Sequence, residues 1–97
     1  MAKARFIVIH RKDNVATALE SLKQGTEISV KLQEVDEKIT LLSDIPPGHK
    51  FALKEMKKGA PVIKYGEPIG QSAKRISRGE HVHVHNVGSM PRSGRRG

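Results

Sequence analysis

The sequence predicts one small, mostly β domain with a single short helix near its N-terminus. Three observations carry this reading. Two stretches alternate apolar and polar residues, which is the two-residue period of a half-buried strand. From Asp44 onward prolines and glycines recur (Pro46, Pro47, Gly48, Gly59, Pro61, Gly66, Pro68, Gly70, Gly79) too often for a helix of any length. The 97 residues leave room for one modest core, which must rest on Ile, Val, Leu and Ala because the only aromatics are Phe6, Phe51 and Tyr65.

Taken in order, Arg-Phe-Ile-Val-Ile over residues 5–9 suits a short buried strand. Asp13-Asn14 then offers a helix cap, Val15, Ala18, Leu19 and Leu22 follow at helical spacing, and Gly25 stands where a helix would stop. Ile28, Val30 and Leu32 alternate against polar neighbours, and a second run begins at Lys38, so a hairpin is expected with its turn near Val35-Asp36-Glu37. Beyond it, short strands joined by tight turns should fill the chain to about residue 87. An apolar residue is followed three positions later by glycine, and three later by another apolar residue, around Gly25, Gly48, Gly59, Gly66 and Gly79. Such a chain leaves the core, reverses where positive φ is tolerated, and returns as a strand. The segment 88–97, rich in Gly, Ser and Arg, has nothing to bury and is expected to be a disordered tail.

Composition removes several function classes. There is no cysteine, which excludes disulfides, thiolate metal sites and cysteine nucleophiles. No apolar stretch approaches the roughly 20 residues that span a bilayer, and no signal-peptide core precedes the domain; a cytoplasmic protein with no membrane partner is expected. The net charge is +8, of which Arg92, Arg95 and Arg96 lie in the tail, leaving +5 for a body where both signs are interspersed. With so few aromatics to stack on bases, nucleic acid ranks last among partners; anionic small molecules suit a diffuse positive field equally well.

His81-Val82-His83-Val84-His85-Asn86 is the run richest in chemistry. On an extended backbone the imidazoles share one face and the valines the other. Residues two apart on a strand lie about 6.5–7 Å apart, so two imidazoles, His81 with His83 or His83 with His85, can converge on one metal ion while three in a row do not. A third ligand would come from a turn or a partner. The competing reading is a polar sheet face with Val82 and Val84 turned inward. His49, directly after Pro46-Pro47-Gly48, sits on a loop where it can face a cleft or simply solvent. Lys50 and Lys64 can each anchor a carboxylate or belong to a wet strand face. Tyr65 reads as a half-buried core aromatic, and Gln71 can offer hydrogen bonds to sugar hydroxyls.

Asp44-Ile-Pro-Pro-Gly-His-Lys-Phe-Ala-Leu53, Gly59-Ala-Pro-Val-Ile-Lys-Tyr-Gly-Glu-Pro-Ile-Gly70 and Gly79-Glu-His-Val-His-Val-His-Asn-Val87 occur in that order. Together they resemble the N-terminal SAF domain of the altronate/galactarate dehydratase family, which includes the alpha subunit of sulfolactate sulfo-lyase. Asp13-Asn-Val-Ala-Thr-Ala-Leu19 resembles the family's opening helix, and the likeness covers roughly residues 5–87. It implies a β-clip fold and a place in an enzyme that eliminates water or sulfite from a hydroxy acid. Family members are associated with divalent iron. The chain ends soon after this domain, so the resemblance implies a small subunit, inactive until a large catalytic dehydratase subunit docks on it. That partner would hold most of any divalent metal.

On this reading His49 is the candidate catalytic residue. Lys50, Lys64, Gln71, His83, His85 and Asn86 are the candidate contacts to a sugar acid or related hydroxy acid, and His81 with His83 are the candidate metal ligands. The alternative is a free-standing, non-catalytic module that binds a carbohydrate or a metal.

Overall fold

The computed structural model describes residues 4–89. Within them the chain forms nine short strands, all paired antiparallel: β1 (Phe6–Ile7), β2 (Val15–Ala18), β3 (Glu27–Leu32), β4 (Val35–Thr40), β5 (Lys50–Ala52), β6 (Pro61–Lys64), β7 (Glu67–Ser72), β8 (His81–Val82) and β9 (Val87–Gly88). They make a four-stranded sheet in the order β1-β2-β5-β8, a two-stranded ribbon β3-β4, and a three-stranded sheet β6-β7-β9. The mostly β expectation holds.

The four-stranded sheet divides two apolar clusters. Alternation along β2 and after β5 sends Ala16, Ala18, Phe51 and Leu53 to one cluster with Leu22, Ile28, Ile39, Leu41 and Ile45. It sends Val15 and Ala52 to the other, with Met56, Val62, Ile76 and Val82. Phe51 is the largest fully buried side chain and meets Phe6 edge to face at 5.7 Å.

This two-sided burial corrects the expected helix. Residues 15–18 are β2, and no helix is present among the described residues. A strand buried on both faces loses its polar alternation, so its apolar residues can fall at helical spacing by chance. Leu19, required on the helix's inner face, is 50% exposed, while Ala16 is buried. The supposed cap does other work. Buried Asp13 accepts hydrogen bonds from the backbone N–H of His10 and of Gly66. Asn14 accepts from Ile63 N–H and donates to the Pro61 carbonyl. Both side chains latch β6 and the turn after it to the start of β2.

The expected hairpin is β3-β4, but its turn is Gln33-Glu34, at φ 50° and 72°, and Val35 already belongs to β4 opposite Leu32. Two successive positive φ values mark a type I′ turn, normally advertised by Asn-Gly; Gln-Glu carries no such signal. Residue 88, placed in the expected tail, lies in a strand. Gly88 pairs with Gln71 in β9, and the remainder of that tail, from Met90, lies outside the described residues.

The glycine-centred regularity has a structural counterpart. Around Gly25, Gly48, Gly59 and Gly79, φ is 82–88°, and the residue after each glycine donates its N–H back three positions, to Lys23, Pro46, Lys57 and Ser77. These are type II turns, with glycine where positive φ is demanded. Each is clamped twice to one residue of another segment. The glycine N–H donates to the carbonyl of Leu41, Ala18, Ser72 or Ala52, and that same residue's N–H donates to the carbonyl just after the glycine. The turns are coupled two by two through the bridges Leu22–Ile45 and Met56–Ile76. The fifth copy differs: Tyr65-Gly66, both at positive φ, forms the two-residue turn between β6 and β7.

Gly25 and Gly79 share φ 88°, but a Cβ at residue 25 meets open space and one at residue 79 would fall on the Thr40 carbonyl oxygen. Gly25→Ala should therefore cost about 1–2 kcal/mol from the left-handed backbone alone. Gly79→Ala adds overpacking and should cost about 3 kcal/mol or more. Thermal unfolding of the two variants checks the difference; equal losses would contradict the close approach.

Candidate functional site: a histidine cluster beside two lysines

The pairing of β5 with β8 sets Phe51 opposite His81 and Lys50 opposite Val82. His49, leaving the Gly48 turn, thereby meets His81: its Nδ1 lies 2.9 Å from His81 Nε2, a hydrogen bond in which one ring donates and the other accepts. β8 ends at Val82, and residues 83–86 turn back rather than extend. Asn86 forces this. Fully buried, its Oδ1 accepts from the His83 N–H at 2.9 Å and its Nδ2 donates to the His81 carbonyl at 2.8 Å. A short polar side chain has here taken over backbone groups that a longer strand would use.

The turn changes what the histidines can do. The His83 ring stacks on His49 with centroids 4.0 Å apart, and His85 sits 5.2 Å from His81. One nitrogen from each of His49, His81 and His83 lies within 4.8 Å of the others. The limit of two ligands per ion held for a straight strand; the bend and the β5 turn bring a third imidazole. Val84, expected to point inward, is 82% exposed at the tip of this turn.

The cluster is cationic in surroundings and free of acid. Burial, then His85, His49, His83 and Lys50 in that order, hold the His81 pKa below its ordinary value. His83 is lowered by burial, then by His49, Lys50 and His85. Lys50 is lowered by burial and by the charge of Lys64. Glu80, the acid adjoining His81 in sequence, accepts from Ser77 N–H and approaches the Asn86 amide. The ion pairs among the described residues, Lys38–Glu27, Arg75–Glu55 and Arg78–Glu37, all lie elsewhere. Beside the cluster a recess of about 160 Å³ is lined by Lys50, Ile69, His83, Val84 and Val87.

Of the residues singled out from sequence, His49, Lys50, His81, His83 and His85 come together, and Lys64 lies near enough to act on Lys50. Asn86 does not face a ligand; its amide is spent inside the turn. Gln71 donates to the Ser89 carbonyl at 3.2 Å and so holds the chain just after β9. Tyr65 is not a core residue: it is 58% exposed on its hairpin turn, under the Lys64 ammonium, 4.9 Å from ring centroid to Nζ. Sequence reasoning sets His49 and the histidine run at one ligand but does not make His49 the third nitrogen donor. The shared apolar-Gly-apolar pattern around Gly48 and Gly79 was the available signal.

The family model for the altronate/galactarate dehydratase SAF domain matches residues 4–90. The chain belongs to this SAF-domain family. It is 54% identical over 83 residues to altronate dehydratase of Escherichia coli, covering 86% of the chain but 16% of that relative. It is 36% identical over 81 residues to galactarate dehydratase (L-threo-forming) of the same organism, 81% of the chain and 14% of the relative. With the (2R)-sulfolactate sulfo-lyase subunit alpha of Chromohalobacter salexigens it shares 33% identity over 84 residues, and the match spans 89% of that subunit. The SAF-domain chain thus spans a small fraction of the dehydratases it matches and nearly all of the alpha subunit.

Two outcomes follow from the site's construction. Asn86→Ala strands the His83 N–H and the His81 carbonyl, and should cost about 2 kcal/mol or more. Its imidazole NMR signals should also lose the ring-current shifts of the His49–His83 stack; unchanged stability and shifts would refute the pin. Lowered folded pKa values for His81 and His83 mean that the unfolded chain binds those protons more tightly. Their stabilising effect is full above about pH 6.5 and is lost as pH falls through the folded values. The acid-side loss of melting temperature should therefore be shallower in His81→Gln/His83→Gln than in the parent, and an identical slope would contradict the assignment.

Proposed function

We propose that this SAF domain, a β-clip, is the small subunit of a hydro-lyase of the altronate/galactarate dehydratase type. It helps bind a sugar acid or related hydroxy acid at a site completed by a large catalytic subunit. The observation that carries this reading is the acid-free meeting of His49, His81 and His83 beside Lys50. The near-complete match to a relative named as a subunit supports a separate small chain.

Elimination next to a carboxylate needs a base for the α-proton, positive charge for the enediolate, and an acid for the leaving group. This domain suits the second task. The donor set fits a divalent transition metal such as iron: three imidazoles, two held toward the neutral form, with no carboxylate competing. One donor pair is already 2.9 Å apart, where ligands at about 2.1 Å from an ion stand about 3.4 Å apart. His81, His83 and His49 would hold such a metal, which would supply Lewis-acid stabilisation of the enediolate. His85 would line the rim, and proton transfer would fall to the large subunit.

Turnover of sugar acids by a large family subunit, with and without this chain and with ferrous iron, tests the proposal. The chain should associate and raise turnover, and His49→Ala or His83→Ala should lower the gain by about 100-fold or more. No association and no gain would reject it. Ligand binding with no lyase partner would favour the non-catalytic module.

A further inference from the structure

Lys50 on β5 and Lys64 on β6 belong to different sheets, and the charge of Lys64 is felt at Lys50. Both are half-buried, and each would ordinarily seek a carboxylate. Neither is in an ion pair among the described residues. Glu67 lies across the hairpin from Lys64 without pairing to it. Lys50 lies beside His83, while the Lys64 ammonium stands 4.9 Å from the Tyr65 ring centroid and acts on Lys50 through its charge. The recess that Lys50 lines has a polar side, Lys50 and His83, and an apolar side of Ile69, Val84 and Val87. Its volume of about 160 Å³ is small beside the roughly 300–1,000 Å³ of pockets that enclose a ligand, so it suits one end of a hydroxy acid.

We propose that Lys50 and Lys64 form a carboxylate grip. The acid end of a hydroxylated carboxylate enters the recess against Lys50 and His83, Lys64 adds the second positive charge, and Ile69, Val84 and Val87 lie against its carbons. The remaining hydroxylated carbons run out past Val84. This deepens the proposed function and rests on it for the ligand class, but the grip needs neither a metal nor a partner chain to form.

The test uses the full chain, metal-free, near pH 7.5, with the lysine side-chain ¹³Cε–¹H signals followed by NMR. D-gluconate, sorbitol (the same carbon chain without a carboxylate) and inorganic phosphate are titrated separately. Gluconate should shift the Lys50 and Lys64 signals saturably, sorbitol should leave them in place, and phosphate should act more weakly than gluconate. Lys50→Met should raise the apparent Kd for gluconate at least tenfold and Lys64→Met at least threefold, with Lys57→Met unchanged. No saturable shift at Lys50, equal response to sorbitol, phosphate as tight as gluconate, or unweakened binding in both lysine variants would each overturn the proposal. A chain that grips gluconate normally but never stimulates a lyase partner would reject the hydro-lyase reading and leave the grip standing.

Discussion

The double backbone clamp on each type II turn is the constraint on which the rest depends. A turn held by one hydrogen bond can swing; one held by two to a single opposing residue has its exit direction fixed. The Gly48 turn is clamped to Ala18 in β2, and the Gly79 turn to Ala52 at the end of β5. Because β2, β5 and β8 are neighbours in one sheet, the segments leaving those turns are carried to the same place. His49 leaves the first and His81 the second. Their hydrogen bond is a consequence of backbone pairing, and the side chains need little ordering of their own to meet.

Asn86 adds the second constraint at local scale. Burying an amide is costly unless its hydrogen bonds are made, and here the partners are the backbone groups of His81 and His83. The residue that looks most like a ligand contact in the sequence is thus the one that shapes the cluster from inside. Electrostatics follow from the same geometry. Burial first, then the neighbouring rings and Lys50, disfavour protonation of His81 and His83, which suits nitrogen donors that must be neutral to bind a metal.

Much of this was legible in the sequence, for physical reasons that also explain the failures. The glycine spacing foretold the turns because positive φ is written into residue type. The alternation at Ile28, Val30 and Leu32 foretold β3 because only one face of that ribbon is buried. β2 was read as a helix because it is buried on both sides, which erases the two-residue period. Asp13 and Asn14 misled for a related reason: their partners, Ile63, Gly66 and Pro61, are remote in sequence. The histidine run reads as a strand because its alternation is perfect, and nothing local shows that Asn86 folds it back. That His49 stands among those rings depends on sheet order, which a single sequence does not display.

The central claim is that three of the five histidines act together as one donor set. A zinc titration of the full chain, followed through the imidazole ¹⁵N shifts, tests it most directly. His10 is a built-in control, because its ring packs against Gly66 and its Nδ1 accepts from Lys12 N–H, away from the cluster. The account predicts that His49, His81 and His83 shift together and saturate at one equivalent of zinc while His10 stays still. Shifts that include His10 equally, or that leave His49 unmoved, would contradict it.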